Sequence, residues 1–579
     1  MRILYIIFIF FHLAVTSYGQ SFYAINPHPK YEVRAVWLTT IGGIDWPHSY
    51  AQTERSVQKQ REELIHILDR LQKANINTVL LQTRIRATTI YPSQYEPWDG
   101  CLSGLPGKSP GYDALQFAID ECHKRGMEVH AWIVTIPVGK WNSYGCRRLR
   151  KRFPQLIKRI GQEGYMNPEM PQTGSYLADI CREIVQRYDI DGIHLDYIRY
   201  PETWKFRISK DQARRNITHI VERIHQVVKQ EKPWVKMSCS PIGKFNDLSR
   251  YRSHGWNAYD KVAQDAQGWL RDGFMDELFP MMYFRNDQFF PFAIDWKEHS
   301  YGRIIAPGLG IYFLDPKEGE WNISDITSEL YHLRNIGEGH AFFRSKFLLD
   351  NHQGVYNFVT TQFNRHPTLV PPMTWESNKR PQQPLTFSIE EKDGTTTLRW
   401  NNSQRYEDGT NITTPHVYSN VYASKIYPVD IHDARNLIMT RSVKQQLTTR
   451  TGNTPTYYAV TSTDGYGNES LARQQDLKTM PKAATQYGKA YWLTTTGENV
   501  NLPPSIHETD CQYIIVKNMQ EQVVYIAKPQ NGKINIKKMK DGVYSLNYVN
   551  YKNIEHTLGT FFKKSNQNIL KKSIKNLEN

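Results

Sequence analysis

Eight short apolar runs punctuate the first 370 residues of the 579-residue chain, separated by segments whose apolar residues recur at helical spacing. The runs fall at 32–39 (EVRAVWLT), 78–84 (TVLLQTR), 128–135 (EVHAWIVT), 192–198 (GIHLDYI), 235–240, 277–284, 303–312 and 340–348. Between the first two, 54–74 places Val57, Leu64, Ile67, Leu68 and Leu71 on one stripe, and 112–125, 174–188 and 209–230 behave similarly. Asn75 and Gly126 stand where two of these helices need a C-terminal cap. Strands alternating with helices pair in parallel through right-handed crossovers, and eight such units close into a (β/α)8, or TIM, barrel. An open doubly wound sheet carries a glycine-rich phosphate turn after its first strand. Here that strand runs into TIGGIDWP instead. The α/β barrel is expected to span 20–375.

Beyond residue 375 the rhythm changes. Pro381 to Pro384 marks a linker, and short alternating runs follow at 385–389, 396–400, 417–423 and 457–461. This pattern predicts a β-sandwich over 380–478, and TYYAVTSTDGYGNES resembles the end of a fibronectin type III module. A further β-rich module is expected over 485–562, then a basic tail over 563–579. At the other end, Met1-Arg2, a greasy run from Ile3 to Phe11 and small residues near Ser17 and Gly19 form the pattern of a cleaved signal over 1–19. That run is too short for the ~20 apolar residues of a membrane span. The expectation is therefore an exported protein without a transmembrane anchor, in the periplasm or on the cell surface of a bacterium. Six cysteines without a CxxC pair exclude a disulfide scaffold and zinc ribbons; Cys101 and Cys146, both in loops, are open equally to pairing in an oxidising space and to remaining free thiols. The formal charge of +15 suits an anionic partner; no nucleic-acid module accompanies it.

In a TIM barrel the chemistry lies where the strands end. That rule selects Trp37, Asp45 and Trp46 from the first unit, Arg84 and Arg86 from the second, and Trp141 after the third. It also selects His194, Asp196, Arg199 and Tyr200 from the fourth, Tyr283 and Asp287 from the sixth, and Tyr312 and Asp315 from the seventh. Aromatic faces stack on sugar rings while carboxylates, Arg and Asn bond hydroxyls, so this rim suits a carbohydrate, and an anionic one where Arg84 and Arg199 face it. Along DGIHLDYIRYP, alternation puts His194 and Asp196 on one face, opposite Ile193, Leu195 and Tyr197. A carboxylate projecting inside a barrel is costly unless solvated, paired or used. Asp191 and Asp276, at strand starts, read as structural.

EVRAVWLTTIGGIDWP, DGIHLDYIRYP, SCSPIGKF and QDAQGWLRDGFMDELFPMMYF together resemble the family-10-like glycosyl hydrolases, over roughly 30–370. The resemblance implies a barrel in exported bacterial proteins that act on glycans, with peptidoglycan strands stripped of their peptides among the substrates. DGIHLD is also similar to the DGxxxD signature on the fourth strand of several retaining glycosidases, whose last Asp is the nucleophile. Glycoside hydrolysis needs two carboxyl groups. Asp196 is the first. Asp265, in the Gln264-Asp265 step of the family motif, is the leading second, with Asp287, Asp315, Asp45 and Glu202 open beside it. Trp296, Trp269 and Tyr283 are expected to supply an apolar wall. This chemistry requires no cofactor, and no metal-ligand spacing appears. The rival expectation is a glycan-binding envelope protein without turnover.

Overall fold

The computed structural model describes residues 28–251, 253–451 and 456–475, and in the C-terminal part 495–496, 498–502, 511–518, 522–550 and 555–563. The expected signal and all of the basic tail beyond Lys563 lie outside the described residues; Lys563 itself ends a strand, Glu555–Lys563.

Eight parallel staves form the barrel: β1 (Arg34–Leu38), β2 (Thr78–Arg84), β3 (Glu128–Val134), β4 (Gly192–Asp196), β5 (Lys236–Cys239), β6 (Glu277–Leu278 and Met281–Met282), β7 (Ile304–Ile305 and Gly308–Leu309) and β8 (His340–Phe342). The ring closes through β6, whose first half pairs with β5 and the start of β7 and whose second half pairs with the end of β7; β7 and β8 then carry the sheet back to β1. Alternation sorts the side chains. Ala35 and Trp37 join Leu80, Trp132 and Phe279 in the barrel interior, whereas Val36 and Leu38 pack outward against the helices. Gly192 is required where it stands: a Cβ there would lie 2.6 Å from the His130 ring beside it in the ladder.

The helices follow their local signals. Glu54–Lys73 begins at Thr53, whose hydroxyl accepts from Ser56 N while Ser56 returns the bond. Pro171–Arg187 starts three residues before the expected 174, with Pro171 in the first turn where a missing N–H costs nothing. Two expected strands, 277–284 and 303–312, are each broken in two because Pro280 and Pro307 have no N–H for the ladder. The run 340–348 is a strand only to Phe342 and then the helix Ser345–Leu349; an apolar run this short has no period that separates the two states. One element was not anticipated. After β3 the chain inserts an antiparallel sheet of Pro137–Lys140, Ile157–Ile160 and Glu163–Met166 around the helix Tyr144–Arg152.

The sandwich has a three-stranded sheet, Thr386–Lys392, Thr395–Asn401 and Gln446–Arg450. It faces a four-stranded one, Leu437–Ser442, Tyr418–Ser424, Tyr457–Thr463 and Arg473–Gln474. Leu398, Trp400, Val421, Tyr458 and Val460 fill the space between them. This sandwich docks beneath the barrel. Asp191, just before β4, accepts from Val129 N (2.7 Å), bonds His123 Nε2 (2.9 Å) and pairs with Arg441 of the sandwich. Asp276, just before β6, accepts from Met237 N, Trp375 Nε1 and Lys229 Nζ, each at 2.8 Å. Both are structural, as their positions implied. A second compact unit, from about 476 onward, contains a three-stranded and a four-stranded sheet around Ile514, Val516, Ile534, Leu546 and Phe561. Cys101 and Cys146 are buried and unpaired, the second of the two readings open for them. No helix among the described residues is long and apolar enough to cross a membrane.

Candidate active site

Asp196 is the last residue of β4, level with Val134 of β3. Its Oδ2 accepts from Trp132 Nε1 at 3.0 Å; its Oδ1 accepts from Ser240 Oγ at 2.9 Å and from Tyr197 N at 2.8 Å. The Tyr197 bond exists because the chain turns sharply there, with Tyr197 at φ +53. Burial pushes the Asp196 carboxyl above the ordinary range, while Ser240, Trp132 and the Arg199 charge pull it back. At the barrel mouth the residue is buried, 7% exposed against none for His194 two residues earlier.

Aromatic rings line that mouth. Tyr283 lies 5.3 Å from Phe343 and 5.8 Å from Tyr312, centroid to centroid, and Phe343 lies 5.7 Å from Trp37. The Tyr283 hydroxyl is buried with no hydrogen-bond partner, and burial followed by the Asp196 charge raises its pKa well above normal. Tyr197 is 36% exposed above the carboxylate, with the Arg199 guanidinium 4.4 Å from its ring. Arg199 also donates to Glu202 at 2.6 Å. Asp287 stands exposed on the rim after β6, and Asp315 stands after β7 near His352.

Several expected contacts are corrected. Arg84 is fully buried and grips Glu96 through two bonds of 2.8 and 2.7 Å. His194 is a neutral interior histidine between Ser238 Oγ (3.0 Å) and Trp37 Nε1 (3.4 Å), its pKa driven well down by burial and by His130. Trp37, 1% exposed, forms the floor beneath the mouth rather than a stacking platform. Tyr200 packs on Trp204 and Phe206 and bonds Asn216, and Trp296 donates to Gly243 O at 2.7 Å; both are buried among the helices. Asp265 caps the helix Ala266–Arg271 by accepting from Gly268 N at 3.1 Å, so the leading second carboxylate has a structural task. Asp45 is 2% exposed and held by Thr39 N (2.9 Å) and Arg344. Trp132 and Ser240, which touch the central carboxylate directly, escaped the sequence reading because their reach depends on strand register.

A parallel eight-stave barrel with a hydrogen-bonded carboxylate at its ring-lined C-terminal mouth carries its polar groups where barrel enzymes do their chemistry. A model of the family described as Glycosyl hydrolase-like 10 matches residues 32–213 and 203–308. Glycosyl hydrolase YngK of Bacillus subtilis (strain 168) is 30% identical over 498 residues, covering 78% of this chain and 94% of that protein. Glycosyl hydrolase DigH of Escherichia coli (strain K12) is 31% identical over 290 residues, 43% of this chain and 65% of its own length. Among solved structures, the PgaB (BpsB) glycoside hydrolase domain from Bordetella bronchiseptica superposes with a TM-score of 0.40 at 11% identity, covering 57% of this chain and 99% of that one. The chain belongs to the glycosyl hydrolase-like 10 family, and hydrolysis of O-glycosyl bonds is the activity that this membership assigns.

Proposed function

We propose that the protein is an exported hydrolase of a polysaccharide, with peptide-free peptidoglycan strands as the leading substrate, and that Asp196 is its central catalytic carboxylate. The observation that carries this reading is the Asp196 hydrogen-bond set. Oδ1 takes two donors and Oδ2 one, leaving Oδ2 a free lone pair at the ring-lined end of the barrel. An oxygen held in that way is suited to attack an anomeric carbon or to stabilise the positive charge that develops on it.

The proton donor has to be a second carboxyl group, about 5–5.5 Å away for retention and about 6.5–9.5 Å for inversion. Asp265 is committed to its helix and Asp45 to Arg344. Glu202, although burial opposes it, is held below its ordinary pKa by Arg199 and therefore sits as an anion. Asp287 and Asp315 remain on the rim and are the candidates for the acid. Incubation of the purified protein with peptide-free glycan strands and a panel of neutral polysaccharides, read by product mass, tests the reading. Oligosaccharides released from the former support it; release from none of them removes it. Alanine variants at Asp287 and Asp315, with and without azide, then identify the acid, because azide restores turnover when only the acid/base group of a retaining enzyme is missing.

A further inference from the structure

The insertion after β3 carries a charge that nothing in the hydrolytic site uses. Between 137 and 166 stand eight basic residues (Lys140, Arg147, Arg148, Arg150, Lys151, Arg152, Lys158 and Arg159) against one acidic residue, Glu163, a surplus close to half the chain's net +15. Elsewhere on the barrel several arginines are paired, Arg125 with Asp69, Arg182 with Asp179 and Arg250 with Glu298. Within the insertion none of the eight forms an ion pair among the described residues. Arg150, Arg152 and Arg159 spend hydrogen bonds on the carbonyls of Trp141 (3.0 Å), Tyr95 (2.8 Å) and Gly161 (3.0 Å). Lys140, Arg147, Arg148, Lys151, Arg152 and Arg159 are exposed. Like charges gathered without counter-charges repel one another, a cost that an anionic ligand would relieve.

Two further features give the patch a shape. A cleft of about 270 Å³ separates the loop 87–107 from the helix Tyr144–Arg152, with Tyr95, Trp98, Tyr144, Arg148 and Arg152 among its walls. Beside it, Trp141 lies under the Arg150 guanidinium at 3.7 Å and near Arg159 at 5.4 Å. The insertion is also rooted at the catalytic mouth: Thr135, from which it rises, donates to the Asp196 carbonyl through N (2.9 Å) and Oγ1 (2.8 Å).

We propose that this insertion is an accessory binding surface for a carboxylate-bearing polysaccharide, its rings taken by Trp98 and Tyr144 and its carboxylates by Arg147, Arg148 and Lys151. The proposal rests on the glycan-hydrolase reading for the kind of polymer, but its test does not depend on turnover.

The probe is affinity electrophoresis of the intact protein through gels containing polygalacturonate, its methyl-esterified neutral form, or single-stranded DNA. Expected is retardation by polygalacturonate that the neutral form lacks and that rising salt abolishes. The triple variant Arg147→Gln, Arg148→Gln, Lys151→Gln, all at exposed positions, should weaken that retardation on the order of tenfold, and Asp196→Asn should leave it unchanged. No retardation of the wild type, equal retardation of the triple variant, or tighter binding to the DNA than to the carboxylated glycan each overturns the proposal. Retardation by Asp196→Asn without any hydrolysis by the wild type would instead remove only the catalytic reading.

Discussion

The indole N–H of Trp132 donates to Asp196 Oδ2 at 3.0 Å from the neighbouring stave, so a ring of the barrel interior fixes the oxygen proposed to act on the glycan. Trp132→Phe keeps the ring and deletes the donor. An anion that loses a donor becomes easier to protonate, so the Asp196 pKa rises further. The acid limb of the rate profile, which requires the carboxylate, should move to higher pH. We expect kcat/KM to fall by about 10–100-fold with the unfolding midpoint little changed. A fall in kcat/KM with an unmoved acid limb would mean that Trp132 serves substrate packing alone.

Arg84 and Glu96 are both sealed from solvent, at 0% and 1% side-chain exposure, and Tyr176 OH adds a third bond to Glu96 at 3.1 Å. Arg84→Met strands a buried carboxylate and should cost about 3–5 kcal/mol in denaturant unfolding, most of it regained in Arg84→Met with Glu96→Leu. Loss of turnover with unchanged stability would return Arg84 to the substrate site.

Glu277, buried at the foot of the barrel, has its pKa raised to about 8 by burial and by Glu128, with Lys236 opposing. Oε1 has no hydrogen-bond partner. Its folded-state pKa lies above the unfolded value, so the folded chain keeps a proton that the unfolded chain releases. The stability this contributes is complete below about pH 4.5 and is lost as pH climbs toward 8. Glu277→Gln removes that dependence. Its advantage over wild type should grow across this window, by at most about 1.4 kcal/mol per pH unit, in denaturant melts at pH 5, 6.5 and 8. A constant difference across the three would show that Glu277 does not titrate there.

Much of this organisation was legible in the residues, for identifiable reasons. The barrel followed from period alone, because each β-stave needs an inward and an outward apolar face, as Trp37 and Val36 supply. The place of Asp196 at the end of the fourth stave, beside Val134, followed from the same alternation. The polar residues around it misled. Arg84 at a strand end looks available until Glu96, twelve residues later, folds back onto it, and no local pattern announces that return. His194 shares a face with Asp196 but lies one layer deeper, and no local pattern tells the two layers apart. Asp265 sits inside a family motif and still serves as a helix cap. The insertion after β3 did leave a trace in Gly161-Gln162, a two-residue turn with Gly161 at φ +59 between its last two strands.

The central claim is tested most directly by turnover of Asp196→Asn on peptide-free glycan strands beside the wild type, with thermal unfolding of both. Asn keeps the carbonyl that accepts from Trp132 but removes the charge. kcat/KM should fall by about a thousandfold or more with the unfolding transition retained. A folded variant that releases product at the wild-type rate would contradict it.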